Sequence, residues 1–275
     1  MNLQRRDFLG QLSCILPSLA ALSSGSAAEP KQTPSPKTGH DMSGMPASWM
    51  GKEEILLLVY PQFTALDLFG PQYFLSSLMG AKVRLVAKTH EPVSCDTGAK
   101  VVPDSTFQDA PKSPDMILIP GGTLGTLTAM QDPETIAFVK AVGTNARFVS
   151  SVCTGSLVLG AAGFLKGKKA TSHWIVRDML RHFGAIPTAE RVVSDGNILT
   201  AAGVTAGLDL GMYVATKWRD QEYSDCLSLL AEYAPPRDPH DVPARASQLA
   251  RQKVGRMFVD FKSKVESACR GQSVK

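Results

Sequence analysis

Short runs of apolar residues alternate with longer segments of mixed polarity over most of the chain. An uninterrupted apolar run is typical of a strand that is covered on both faces, and longer segments with an apolar stripe are typical of helices. Because strands and helices alternate, we predict an α/β fold with a mostly parallel central sheet and helices on both faces. The predicted strands are Ile55–Tyr60, Val83–Ala87, Lys100–Val102, Met116–Ile119, Phe148–Val152, Arg191–Val193 and Ile198–Ala201, the last two flanking a hairpin-type turn at Ser194–Asn197. The predicted helices are Leu66–Met79, Pro133–Val142, Thr154–Ala162, Trp174–Phe183, Thr205–Trp218 and Glu222–Tyr233.

The N-terminus carries the pattern of an export signal. Arg5 and Arg6 precede a mildly apolar segment that ends in small residues, and this order is typical of a twin-arginine signal over residues 1–28. An uncleaved membrane anchor is the alternative, but the run is shorter than the ~20 apolar residues that a spanning helix needs. We therefore predict an exported, periplasmic protein that keeps no stable membrane anchor after cleavage. Cys14 leaves with the signal.

Residues 29–52 are rich in Pro, Ser, Thr and Gly, which predicts a flexible tether before a packed domain at 53–240. His40, Met42 and Met45 in this segment offer soft ligands for copper, but a solvated linker is the favoured interpretation.

The C-terminal segment, 241–275, is basic and amphipathic. It predicts one helix over Arg245–Ser267, used for packing or for contact with a second subunit. A single helix of this length cannot form a helix-turn-helix pair, which excludes a fused DNA-binding domain. The predicted apolar side consists of Leu249, Val254, Phe258, Phe261 and Val265.

Composition narrows the class of protein. Of the 275 residues, 44% are apolar and 20% are charged, which suffices for a sizeable core and excludes both global disorder and a disulfide miniprotein. The 29 Lys and Arg residues outnumber the 25 Asp and Glu residues only slightly, and a net charge of +4 is too small to indicate a nucleic-acid partner.

The most informative segment for chemistry surrounds Cys153. An apolar strand runs into a helix through this cysteine, with the small residues Ser151 and Gly155 two positions to either side. This is the pattern of a nucleophile elbow, and the helix N-terminus behind it is expected to lower the pKa of the thiol. The alternative is a buried, inert cysteine. The remaining cysteines after cleavage, Cys95, Cys226 and Cys269, lie in ordinary loop or helix contexts and are predicted to be structural or incidental.

Further candidate residues follow other predicted strands at the same edge of the sheet. Asp67 begins a helix after the first strand, as an acid or alternatively as a helix N-cap. Gly121 and Gly122 end the central strand, where free backbone N–H groups could bind developing negative charge, or form an ordinary turn. His173 is the tempting base, but a lone His before a helix is more often a capping or packing residue, so we place it behind the reacting groups.

Together these segments resemble the ThiJ/PfpI superfamily, in the class I glutamine amidotransferase-like group, over roughly residues 54–240. Within it the resemblance is closest to the isonitrile hydratases. The matching strings are Leu66–Pro71 (LDLFGP), Ile119–Thr123 (IPGGT), Ser151–Gly163 (SVCTGSLVLGAAG), Ala170–Trp174 (ATSHW) and Glu232–Pro235 (EYAP).

The resemblance implies a flavodoxin-like three-layer sandwich, a homodimer, and hydration of a small isonitrile to an N-substituted formamide without metal or organic cofactor. Asp67, Cys153 and Thr154 take the catalytic positions of the family. Peptidase and glyoxalase-like members instead carry His directly after the Cys and Glu at the acidic position, so proteolysis is disfavoured.

Two features of the reaction are expected from these positions. Asp67 is predicted to lie among apolar Leu66, Leu68 and Phe69, so that burial raises its pKa. Backbone N–H groups around Gly121, Gly122 and Gly155 are expected to bind the electron-rich end of the substrate. A second hypothesis from another class is a thiol redox sensor or a ligand-binding domain without catalysis.

Overall fold

The computed structural model of the protein describes residues 44–235 and 246–272. The predicted signal, with Arg5, Arg6 and Cys14, lies outside the described residues. So does most of the predicted tether, including His40 and Met42.

A sheet of seven strands forms the centre of the fold, in the order β10-β11-β7-β6-β1-β2-β5. Every neighbouring pair in it is parallel except the hairpin β10–β11, which turns at Gly196 with φ +66°. The short pairs β3–β4 and β8–β9 lie outside this sheet. The strands are β1 (Glu54–Leu58), β2 (Lys82–Ala87), β3 (Val93–Ser94), β4 (Lys100–Val101), β5 (Ser105–Thr106), β6 (Met116–Ile119), β7 (Phe148–Val152), β8 (Lys169–Ala170), β9 (Ile186–Pro187), β10 (Val192–Asp195) and β11 (Ile198–Ala201).

Two groups of helices complete a flavodoxin-like three-layer sandwich, which confirms the predicted fold class. Helices α1, α5 and α6 pack together, and helices α2, α3, α4 and α8 form the other group. None of the described helices combines the length and the apolar character that crossing a bilayer requires. The helices are α1 (Ala65–Ser76), α2 (Thr123–Gln131), α3 (Pro133–Asn145), α4 (Gly155–Ala161), α5 (Ala206–Trp218), α6 (Gln221–Ala231), α7 (Gln248–Met257) and α8 (Val259–Gln272).

The central strands are apolar because both of their faces are covered. All four residues of β6 are buried, as are the last four residues of both β1 and β7. This is the reason why uninterrupted apolar runs located these strands in the sequence.

Helix α2 was not predicted. Its sequence, TLGTLTAMQ, contains three threonines and Gly125, which are poor helix formers. Tertiary packing explains both its formation and its glycine, because a Cβ on Gly125 would lie 2.4 Å from the carbonyl oxygen of Pro61. The predicted helix Trp174–Phe183 is also shorter than expected, since only Arg177–Phe183 is helical, and it is a 3-10 helix.

The single C-terminal helix predicted over Arg245–Ser267 is wrong, because the chain forms two helices that separate at Phe258, and the single-helix argument against a helix-turn-helix pair no longer applies. Gly255 lowers helix propensity just before the break. The break lets α8 bury Phe261 and Val265, whereas no residue of α7 is buried. Of the predicted apolar side, the residues Phe261 and Val265 are buried, whereas Leu249 is exposed.

The packed fold also begins earlier than the predicted boundary at residue 53. Trp49 is 4% exposed, its indole N–H donates to Asp220 at 2.8 Å, and its ring packs edge-on against Tyr223 at 4.8 Å. The last residues of the predicted tether are therefore anchored to α6, while Met45 is exposed.

Candidate active site

Four loops meet at the carboxyl edge of the sheet. Strands β11, β7, β6 and β1 are neighbours and run parallel, so the residues that follow them are brought to one place. Asp67 comes after β1, Gly121 after β6, Cys153 after β7 and Val204 after β11. This order explains why residues far apart in the sequence share one site.

Cys153 occupies the turn between β7 and α4 in a left-handed conformation, with φ +59°. That conformation costs a residue other than glycine roughly 1–2 kcal/mol. Hydrogen bonds offset this cost: the Cys153 N–H donates to the carbonyls of Ala201 and Ala202 at 3.0 and 2.9 Å. Its own carbonyl accepts from the hydroxyls of Ser156 and Ser172 at 3.2 and 3.0 Å. The backbone around the sulfur is therefore fixed on both sides of the turn.

Asp67 lies in the first turn of α1 and is completely buried. Its Oδ2 accepts from the Gly121 N–H at 3.0 Å, and its Oδ1 is buried without a hydrogen-bond partner. Burial raises the pKa of this carboxyl to about 7, although the neighbouring Cys153 side chain and the Gly121 N–H act in the opposite direction. The alternative that Asp67 caps its helix is wrong, because Thr64 holds the cap position.

The surroundings of Asp67 differ from the predicted apolar pocket. Leu68 is fully buried, whereas Leu66 and Phe69 are 42% and 38% exposed, so only one of the three predicted side chains is withdrawn from solvent. A neighbouring backbone lies against the carboxyl group: a Cβ on Gly121 would lie 2.6 Å from the carboxyl oxygen Oδ2. The glycine therefore lets the chain after β6 approach the acid closely.

The thiol of Cys153 behaves differently from the prediction. Burial raises its pKa well above the ordinary range, and the negative charge of Asp67 raises it further. The backbone N–H groups of Thr154 and Val204 oppose this rise without cancelling it. The expectation that the helix N-terminus lowers the thiol pKa is wrong, because desolvation outweighs the effect of the helix terminus. Near neutral pH the site thus combines a protonated thiol with a carboxyl group that is titrating.

The backbone groups predicted to bind negative charge already have partners. The Gly121 N–H donates to Asp67, and the Gly122 N–H donates to Thr154 Oγ1 at 3.0 Å. In the structure these N–H groups orient two side chains of the site, and a contact of either glycine with the substrate stays a prediction. Gly155 serves close packing, because a Cβ there would lie 2.3 Å from the carbonyl oxygen of Ile119.

A chain of buried hydroxyl groups runs away from Thr154. Thr154 Oγ1 lies 2.8 Å from Thr126 Oγ1, and Thr126 Oγ1 lies 3.1 Å from the Tyr60 hydroxyl. Tyr60 donates its only hydroxyl proton to the carbonyl of Pro120 at 2.6 Å. It follows that Thr126 donates to Tyr60 and that Thr154 donates to Thr126. Sequence reasoning missed Tyr60 and Thr126, and Thr126 carried no signal because its helix was not predicted.

His173 is half-buried beside the site. Its Nδ1 accepts from the Ile175 N–H at 3.4 Å, and its ring lies 6.1 Å from the rings of both Trp174 and Phe258. A Cβ on Gly203 would lie 3.0 Å from its Cδ2. The ring thus packs against the segment that follows β11, next to Val204.

A cavity of about 290 Å³ opens at this place. The segment Ala202–Thr205 forms one wall and α7 contributes another, through Ala250, Arg251 and Val254. Ala202, which lines the cavity, accepts a hydrogen bond from the Cys153 N–H at 2.9 Å, so the cavity adjoins the turn that carries Cys153, although the Cys153 side chain is not part of its lining. Within residues 44–235 and 246–272, no cluster of three or more His, Cys, Asp or Glu side chains is arranged to hold a metal ion.

Comparison with known proteins places these residues in context. The family model of the DJ-1/PfpI family matches residues 53–217. The isonitrile hydratase of Pseudomonas putida is 45% identical over 182 residues, which cover 66% of this chain and 79% of that protein. The crystal structure of a ThiJ/PfpI family protein from Pseudomonas syringae matches with a TM-score of 0.79 and 45% identity, over 86% of this chain and 98% of that chain. Drosophila melanogaster DJ-1beta shares the fold, with a TM-score of 0.60 at 19% identity over 67% of this chain and 100% of that chain.

Proposed function

The chain belongs to the DJ-1/PfpI family, and from this premise we propose that it is an enzyme that hydrates an isonitrile, R–N≡C, to an N-substituted formamide. One observation carries the proposal: an acid whose pKa is raised to about 7 lies beside a buried thiol, in a chain 45% identical to an isonitrile hydratase. Hydration of an isonitrile needs an acid and a nucleophile that face a single carbon, and we assign these two roles to Asp67 and Cys153.

The first step forms two bonds to the terminal carbon. Ionised Asp67 accepts the proton of the Cys153 thiol and delivers it to the isonitrile carbon, while the sulfur attacks the same carbon. The product of this step is a thioimidate, R–N=CH–S, attached to Cys153. Only one proton is needed, and the pair holds that proton when the carboxyl is ionised and the thiol is neutral.

The second step releases the product. Water adds to the thioimidate carbon, and one of its protons passes to nitrogen. The C–S bond then breaks, and the remaining hydroxyl proton returns to sulfur through Asp67 as the formamide carbonyl forms. In a second route water attacks the protonated isonitrile directly, and the sulfur only stabilises the cationic intermediate.

Thr154 acts as a positioning residue in this scheme. Its hydroxyl accepts from the Gly122 N–H and donates to Thr126, so it has no proton left for the substrate. Its backbone N–H faces the Cys153 sulfur instead. The hydroxyl chain to Tyr60 therefore fixes the turn that carries the nucleophile.

The sensor hypothesis has weaker support. Peroxide oxidises thiolates, and a thiol that is 6% exposed with a raised pKa holds little thiolate at neutral pH. We therefore favour catalysis over sensing.

We also propose that the mature protein is exported and that it forms a homodimer.

The test is an assay of the purified protein with methyl and cyclohexyl isonitrile, in which formamide production is followed. Cys153→Ser and Asp67→Asn should each lose at least ~10²-fold in rate, whereas Cys226→Ser, which removes an exposed thiol on α6, should retain full activity. A Cys153 adduct trapped by mass spectrometry supports the thioimidate route. If the wild-type protein converts neither isonitrile, the proposed reaction is refuted, and oxidation of Cys153 at low peroxide would then favour the sensor.

A further inference from the structure

The cavity next to Val204 has a wall that the matched family region does not supply. The family model covers residues 53–217, whereas α7 spans Gln248–Met257. Ala250 and Val254, one helical turn apart, face the cavity from α7, opposite the segment Ala202–Thr205. The wall nearest the thiol therefore belongs to the family core, and the outer wall belongs to the C-terminal part of this chain.

The lining of the cavity is predominantly uncharged. Small or aliphatic side chains provide most of it, and the rings of His173 and Trp174 complete the uncharged part of the lining. Arg191 also lines it, but its guanidinium group is paired with Asp209, and both side chains are largely buried, at 9% and 12% exposure. Arg251 lines the cavity from α7 as well, and its side chain is exposed, as is that of Ala250. A volume of about 290 Å³ equals roughly ten water molecules, which is enough for a six-membered hydrocarbon ring.

We propose that this cavity is the subsite for the substituent R of the substrate, that R is an uncharged hydrocarbon group, and that Ala250 and Val254 on α7 set its size. The inference rests on the proposed function for its substrate, but the location of the subsite is independent of turnover. Because the wall residues Ala202 and Val204 contact the backbone and the sulfur of Cys153, we expect a reagent bound at the sulfur to extend its substituent into the cavity.

A test on the purified full chain uses the thiol itself as the probe. Cys153 is alkylated with N-methylmaleimide or with N-cyclohexylmaleimide, and its modification is followed by peptide mass spectrometry, which separates it from the other cysteines. In this reaction the sulfur adds to one alkene carbon and the thiol proton passes to the other, so no further reactant is needed. The measured quantity is the ratio of the cyclohexyl rate to the methyl rate.

Ala250→Phe fills the cavity and should lower this ratio about tenfold, whereas Val254→Ala enlarges it and should raise the ratio. Gln252→Phe is the matched control, because it adds the same side chain to α7 two positions away, on a different face of the helix, and should leave the ratio unchanged. No residue of α7 is buried, so none of these substitutions removes core packing, and circular dichroism checks the fold.

The result separates the two proposals. Equal ratios in Ala250→Phe and Gln252→Phe would overturn the subsite, whether or not isonitriles are converted. Faster alkylation by maleimidohexanoic acid than by N-cyclohexylmaleimide would overturn the uncharged class of R. If isonitriles are not converted but the ratios change as expected, the subsite stands and the proposed reaction fails.

Discussion

At the scale of single residues, Asp67 and Cys153 cannot titrate independently because they share one buried site. The first proton to leave the pair does so with a pKa of about 7, assigned to Asp67, and the second leaves well above the ordinary thiol range. Over the interval between these two values the pair holds one proton. This is the state that the proposed first step uses.

The pH dependence of turnover follows from this state. Below pH 7 the pair carries two protons, so kcat/KM should rise about tenfold per pH unit and level off above pH 7. Asp67→Asn should abolish the inflection near pH 7 along with most of the rate. A rate that instead falls as the pH rises through 7 would show that the doubly protonated pair is the reactive form.

The same carboxyl group should make the folded protein less stable at neutral pH. The pKa of Asp67 is about 7 in the fold against a reference value of 3.8, so the folded state binds the proton more tightly than the unfolded state. The free energy of unfolding is therefore highest below pH 4 and decreases as the pH rises to about 7, by on the order of 4 kcal/mol. Asp67→Asn should raise the Tm at pH 8 but change it little at pH 4. Equal changes in Tm at the two pH values would contradict this linkage.

Some of the site could be predicted because its signals are local. Cys153 and Asp67 were found from short strings that place them directly after strands. The use of the Gly121 and Gly122 N–H groups could not be predicted, because their partners lie 54 and 32 positions away in the sequence. The predicted direction of the thiol pKa shift was wrong for a similar reason. A helix terminus can be recognised in a sequence, whereas complete burial depends on the whole fold.

At the scale of elements, the strands were predictable and the marginal helices were not. Strand β6 is apolar on both faces and was located with its exact bounds. Helix α2 depends on packing against Pro61. The division of the C-terminal helix at Phe258 depends on the packing of α8, which buries Phe261 and Val265. Neither kind of information is present in a local pattern of polarity.

The two C-terminal helices should contribute very differently to stability. Phe261 in α8 is 4% exposed, so Phe261→Ala should lower the free energy of unfolding by roughly 3–5 kcal/mol. Leu249 in α7 is 60% exposed, and Leu249→Ala should change it by less than about 0.5 kcal/mol. Urea unfolding of both variants measures the difference. Similar losses from the two substitutions would show that α7 packs more tightly than the structure indicates.

At the scale of the whole molecule, α1 presents an apolar face that suits the proposed homodimer. Leu66, Phe69 and Tyr73 lie on one side of this helix and are 42%, 38% and 48% exposed. Light scattering should give the mass of two chains, and Tyr73→Lys should reduce it to that of one. Leu230→Lys, on the exposed side of α6, is the control. If only the control variant dissociates, the interface lies on α6 instead.

Export is the other prediction for the whole molecule. Changing Arg5 and Arg6 to Lys should keep the protein uncleaved in the cytoplasm, because the arginine pair is the feature that the twin-arginine pathway recognises. Cell fractionation with an antibody against the protein measures this. Normal export and cleavage of the changed protein would contradict the twin-arginine route.

The backbone N–H groups of the site already have hydrogen-bond partners, and this affects which classes of compound the thiol can attack. The N–H groups of Gly121 and Gly122 serve side chains of the site, and those of Thr154 and Val204 face the sulfur. Attack on an ester or a peptide would create a negatively charged oxygen that these donors are not arranged to stabilise, whereas the proposed attack on an isonitrile creates no such oxygen. We therefore expect that acyl compounds such as thioesters and peptides do not acylate the buried thiol of Cys153.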